Sequence, residues 1–153
     1  MTLTAAPDWA DALVARRPYV DLEALLTTSD EVVGGLSASQ VDAALAGHPR
    51  IGERSAGLDS RSAARSAREQ SGMSVADASV QEAMARGNAD YEARFGRIYL
   101  VAAAGRTAEE LLGYLHDRLR NSPEAELDVV RSELARISRL RLAELLTSRE
   151  ASR

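Results

Sequence analysis

The chain of 153 residues contains no cysteine. Disulfides, thiolate metal sites and cysteine nucleophiles are therefore excluded, and nothing points to an oxidising compartment. Lysine is missing as well, so that all 19 basic residues are arginine; the bias fits a GC-rich genome better than a function. Histidine is scarce. His48 and His116 are the only two, and they lack the HExxH type of spacing, so no metal site is expected. No apolar run approaches the roughly 20 residues needed to span a bilayer. The N-terminal "MTLTAAPDWADALVARRPY" lacks the basic-then-apolar order of a signal peptide. A cytoplasmic protein with no membrane association is expected. There is also no glycine-rich phosphate loop and no GxSxG elbow, which leaves acid–base chemistry without a metal or a nucleotide.

The formal net charge of −4 argues against a nucleic-acid partner. The basic cluster "RSAARSAR" at 61–68 reads as a solvated helix face, with an anion-attracting rim as the alternative. A helical nucleic-acid binder using 50–68 is disfavoured by the interspersed Glu53, Asp59 and Glu69. At 45% hydrophobic, the chain is long enough for one domain over 1–153, burying roughly 70% of its unfolded surface.

Helical periodicity and helix caps recur along the chain, whereas alternating strand patterns hardly appear. "DLEALLTTSDEVVGGL" predicts an amphipathic helix that stops at Gly34 and Gly35, and "SASQVDAALAG" a shorter one ending just before His48. In "SVADASVQEAMARGNADYEARFG", Val80, Met84, Gly87, Tyr91 and Phe95 fall on one stripe, with Asn88 at its edge as a core hydrogen-bonding residue. "TAEELLGYLHDRLRN" opens with a capping box, Thr107 to Glu110. His116 on that helix reads as partly exposed. The last helix starts with Ser122 as N-cap and Pro123 at the first helical position. The exception is the uniformly apolar "RIYLVAAAG" at 97–105, bounded by Gly96 and Gly105, which is either a buried extended segment or the start of a helix. An all-α, single-domain helical bundle follows.

Several polar residues depart from what a plain bundle prefers. His48 stands between Gly47 and Pro49 in "GHPRIGE", which suggests a fixed loop for a side chain that titrates near neutrality. Ser66, Glu69 and Gln70 are three and four residues apart on a predicted helix, and so share a face carrying a hydroxyl, a carboxylate and an amide. Arg141 falls near the centre of the stripe formed by Leu127, Val130, Leu134, Ile137 and Leu145, where it must snorkel or meet an anion.

Taken in order, "HPRIGE" at 48–53, "SAREQSG" at 66–72, "NADYEARFG" at 88–96, "IYLVAAAGR" at 98–106, and "RLRNSPEAEL" with "ISRLRL" at 118–142 resemble the motifs of the OHCU decarboxylases. These enzymes act on 2-oxo-4-hydroxy-4-carboxy-5-ureidoimidazoline (OHCU) in urate breakdown. "WADALVARRPYVDLEALL" extends the resemblance, to the bacterial branch, so that it covers about residues 9 to 146. The sequence departs from the usual family residues at Arg97, Tyr99, Ala102 and Arg120.

The resemblance implies an all-helical homodimer that converts OHCU to (S)-allantoin and carbon dioxide without a cofactor. By matching positions it makes His48 the catalytic acid/base, with Glu69 also in the catalytic set, and has Pro49 line the site. It assigns substrate contacts to Ser66, Ala67, Arg68, Glu69 and Gln70, and to Ile98, Tyr99, Leu100, Val101 and Ala102. Arg141 is a further candidate, as partner of the substrate carboxylate or as support for the site. A catalytically silent binding module of the same fold is the competing expectation.

Overall fold

The computed structural model describes residues 7–51 and 78–152. Among these residues there are six α-helices and no strand. They divide into two compact units, one made of Met1–Gly47 and Leu127–Arg153, the other of His48–Glu126.

The first unit holds α1 (Pro7–Ala15), α2 (Leu22–Gly34), α3 (Ala38–Leu45) and most of α6 (Pro123–Glu150). Local sequence explains where these helices start. The Asp21 side chain accepts from the Ala24 amide at 2.8 Å and caps α2, while Ser37 and Gln40 form a reciprocal capping box on α3. Gly35 returns its amide to the carbonyls of Glu31 and Val32, closing α2 where the apolar pattern stops. Trp9 and Leu13, one turn apart on α1, are buried, as are Leu26, Ser29 and Val33 on α2. The Trp9 indole donates to the Ser29 hydroxyl at 2.9 Å, so neither buried polar group is left unpaired. The buried face of α6 runs through Val130, Leu134, Ile137, Ser138 and Leu142.

The second unit contains α4 (Ala78–Phe95), α5 (Ala108–Arg118) and the first residues of α6. Thr107 and Glu110 make the capping box of α5, and Ser122 accepts from the Ala125 amide at the start of α6. Val80, Met84, Gly87, Tyr91 and Phe95 do form one face of α4. Its buried members pack in a cluster with Ile51, Tyr99, Val101, Ala103, Ala108, Leu111 and Leu115. Gly87 permits this packing: a Cβ there would lie 2.4 Å from Leu115 Cδ2. Within the described residues no helix is long and apolar enough to cross a membrane.

Candidate active site

The loop that carries His48 is held against α4 at several points. Pro49 fixes its own backbone angle. The Arg50 guanidinium reaches Glu92 Oε1 with Nε at 2.8 Å and Nη2 at 2.7 Å. Ile51 is buried in the core of the second unit, and its carbonyl accepts from Asn88 Nδ2 at 3.2 Å. Asn88 and Glu92 are four residues apart on α4, so they present neighbouring side chains to the same short stretch. His48 itself is half-buried at the start of this pinned segment.

The second feature is the apolar run between two glycines. It is irregular rather than helical, and Tyr99 through Ala103 are buried. Gly96 ends α4 with φ of 71° and its amide on the Glu92 carbonyl at 2.9 Å; Gly105 has φ of 76° in the turn that follows. Both angles lie in the left-handed region, where a Cβ is costly and glycine is not. The two glycines therefore break the helix on either side and leave the run irregular. The Tyr99 ring points into the core, where its hydroxyl donates to the Leu111 carbonyl at 2.9 Å. That hydroxyl is thus engaged inside the second unit.

A buried charge holds that segment in place. Arg118 is 7% exposed and Glu126 0%. Arg118 donates Nε to Glu126 Oε1 at 2.7 Å and Nη1 to the Leu100 carbonyl at 2.5 Å. Glu126 also accepts from the Tyr91 hydroxyl in a very short bond, and from Asn121 Nδ2 at 3.0 Å. The guanidinium lies over the rings of Tyr99 at 4.9 Å and Tyr91 at 5.7 Å. Burial opposes the charge on Arg118, but the Glu126 hydrogen bond and the attraction of Tyr91 and Glu126 outweigh it, so its pKa rises. Burial, and then the bond to Glu126, push the Tyr91 hydroxyl well above its ordinary value and keep it protonated. Arg118 and Glu126 were given no role by sequence reasoning, although a signal existed: each sits on an apolar helix stripe, Arg118 after Leu111 and Leu115, Glu126 before Val130.

The structure thus brings the His48 loop, the Asn88 face of α4 and the segment 98–102 around one core, since Ile51, Tyr99 and Val101 share a buried cluster. Ser66, Ala67, Arg68, Glu69 and Gln70 lie outside the described residues. Arg141 is on α6 in the first unit, half-buried beside the buried Leu142, while Ser138 and Leu134 take the fully buried positions of that stripe. Its long side chain lets it occupy an apolar face without full desolvation. His116 is exposed in the last turn of α5. Asn88 is buried as expected, but its Oδ1 has no partner among the described residues. An orphaned acceptor of this kind costs about 1–3 kcal/mol.

A similar fold occurs in a crystal structure of an OHCU decarboxylase in the presence of (S)-allantoin. The match has a TM-score of 0.78 at 23% identity and covers 95% of this chain and 94% of that one. A crystal structure of an (S)-allantoin synthase matches with a TM-score of 0.62 at 18% identity, covering 92% of this chain and 42% of the other. The sequence profile of OHCU decarboxylase matches residues 1–143, and the chain belongs to that family. Among its relatives, the mouse (Mus musculus) 2-oxo-4-hydroxy-4-carboxy-5-ureidoimidazoline decarboxylase is 32% identical over 139 residues, 90% of this chain and 78% of that protein. The Arabidopsis thaliana uric acid degradation bifunctional protein TTL is 31% identical over 144 residues, 93% of this chain, and the match spans 44% of its length.

Proposed function

We propose that this chain is a carboxy-lyase that converts OHCU to (S)-allantoin and carbon dioxide in urate degradation. Family membership supports the reaction. The observation in the molecule that carries it is the loop in which Pro49, Arg50 and Ile51 are each restrained, with His48 beside them.

In OHCU one ring carbon bears a hydroxyl and a carboxylate, and its neighbour is an imine carbon bearing the ureido group. When the bond to the carboxylate breaks, its electron pair forms a carbon–carbon double bond and the imine pair moves onto nitrogen, which takes up a proton. Carbon dioxide leaves and an enol remains. Loss of the hydroxyl proton and protonation of the former imine carbon then give the ring carbonyl and the stereocentre of allantoin. The substrate supplies its own electron sink, so the protein's tasks are orientation and proton delivery. His48 handles the hydroxyl proton. Pro49 lines the site, and Ser66 through Gln70 hold the ureido and ring N–H groups, with Glu69 and Gln70 as the acceptors. Backbone amides of 98–102 meet the ring or carboxylate oxygens. No added cofactor is required in this scheme. The working form is a cytoplasmic homodimer in which residues 1–153 act as one domain.

The test is the ultraviolet decay of freshly generated OHCU, with circular dichroism of the product. Wild type should accelerate the decay and yield a net (S)-allantoin signal, because spontaneous protonation has no chiral environment and gives a racemate. His48→Ala should remain folded and lose about 10²–10⁴-fold in rate, the contribution of general acid–base catalysis. Accelerated decay that yields racemic allantoin sinks the assignment of proton delivery. A wild-type protein without effect on OHCU sinks the reaction and leaves a silent relative that binds.

A further inference from the structure

We propose that Asn88 and Glu92 are positioning residues for His48, acting through the backbone and side chain of the loop that carries it; the catalytic part of this inference rests on the function proposed above. Each holds one residue of that loop. Asn88 donates to the Ile51 carbonyl at 3.2 Å, and Glu92 takes two N–H groups of Arg50 on a single oxygen at 2.8 and 2.7 Å. The two side chains are one helical turn apart on α4, so the helix sets their spacing and therefore the course of Arg50–Ile51. Pro49 restricts the step from there back to His48. The imidazole is thus three residues from a fixed carbonyl and two from a fixed guanidinium.

The orientation of Asn88 is itself informative. Facing a carbonyl, the side chain must offer its nitrogen, which leaves Oδ1 buried without a partner among the described residues. A leucine would fill a similar volume without an orphaned acceptor. If packing were its only role, the amide would be the poorer choice at a position 7% exposed. What the amide adds is the hold on the His48 loop.

Two histidines in the chain allow a direct readout. The imidazole proton–carbon signals of His48 and the exposed His116 can be assigned with His116→Gln, and then followed in Asn88→Leu and Glu92→Gln. The clamp requires the His48 signal to shift or broaden in both variants while that of His116 stays in place. It also requires kcat for OHCU to fall by about 10- to 100-fold in Asn88→Leu, the scale of a misplacement near 1 Å, with KM changed less than about twofold. Asn88→Asp, which keeps the size but has no N–H to donate, should lose kcat as Asn88→Leu does. Loss of kcat in Glu92→Arg or Arg50→Glu should be partly recovered when the two are combined. An unchanged His48 signal in folded Asn88→Leu and Glu92→Gln overturns the clamp. A displaced signal with unaltered kcat keeps the clamp and instead removes His48 from the chemistry. Wild type inactive on OHCU breaks the functional reading alone, because the resonance test needs no turnover. Should Asn88→Leu fail to fold, the half-buried Glu92 decides the matter by the same signal.

Discussion

Arg139 and Arg118 show how differently the two compact units use charge. Arg139, in the first unit, pairs with Asp30 at 2.7 Å and with Glu23, and its side chain and those of both partners remain accessible to water. Arg118, in the second, is enclosed with Glu126 and two tyrosine rings. The first unit follows the ordinary logic of capped amphipathic helices, with most charges at the surface. Among the described residues, the second contains a buried ion pair, two left-handed glycines, the irregular apolar run and a buried Asn88 oxygen without a partner, while the first has one such atom, the Ser138 hydroxyl oxygen. Such departures are costly, and they tend to collect where a site must be held in a fixed shape. Here most of them fall in the unit that contains His48 and the 98–102 segment.

Removing Arg118 should produce the largest effect on the fold. Arg118→Ala leaves the Glu126 carboxylate buried without its countercharge and the Leu100 carbonyl without its donor, and breaking a buried pair in this way costs about 3–5 kcal/mol. Thermal unfolding should fall by roughly 10 °C or more for a domain of this size. The double variant Arg118→Met with Glu126→Leu should recover most of that stability, because neither charge is then stranded. Its activity should stay low, since nothing replaces the hold on Leu100. Full activity in the double variant would mean that the 98–102 segment keeps its shape without Arg118, and the contrast between the two units would lose its functional content.

How much could be read beforehand does not follow the division into units, since legible caps occur in both. The caps at Asp21, Ser37, Thr107 and Ser122 are local events within four residues, and the helices start where the sequence indicates. The Gly96–Gly105 run is different, because a uniformly apolar stretch has no period to read. Its course is decided by two backbone angles and by a guanidinium arriving from α5. The pairing of Arg118 with Glu126 was hidden for a related reason. Each charge is visible on an apolar stripe, but only the packing of separate elements shows that they meet. His48 and the apolar run stood out by their flanking residues, but their roles, and that of Pro49, came from family motifs rather than physics. What physics adds is the brace behind them, Asn88, Glu92 and Arg118.

A smaller and pH-dependent effect separates the hydroxyl of Tyr91 from the rest of the buried cluster. In Tyr91→Phe, Glu126 keeps Arg118 and Asn121, so at neutral pH the loss should be about 0.5–1.5 kcal/mol, that of one hydrogen bond. In the folded protein the hydroxyl titrates above its unfolded value, chiefly because it is buried. Above about pH 10 the unfolded chain releases this proton while the native state retains it. The stabilisation is therefore complete below pH 10 and is lost as pH rises further, by up to about 1.4 kcal/mol per unit. Urea unfolding of wild type and Tyr91→Phe should show wild type ahead at pH 7 and the gap closing or reversing near pH 11. A constant gap across this range would mean that Tyr91 is not the proton holder the cluster implies.

The smallest change is expected from the arginine that looks most heavily bonded. Arg139 makes ion pairs with Glu23 and Asp30, and its pKa is raised first by the Glu23 hydrogen bond. Counted by contacts, it would rank beside Arg118. Solvent reaches the pair, however, so water competes for every donor and dissolved ions weaken the attraction that remains. Arg139→Ala should thus lower the melting temperature only slightly at low salt, and the difference from wild type should vanish at high salt. Arg118→Ala should keep its deficit in both buffers, because ions do not enter a pair whose side chains are 8% and 0% exposed. Running the two variants side by side makes salt the discriminating variable. A deficit of Arg139→Ala that persists at high salt would show that the side chain contributes through the packing of its aliphatic stem on the face of α6, and that the surface pairs of the first unit are not merely electrostatic.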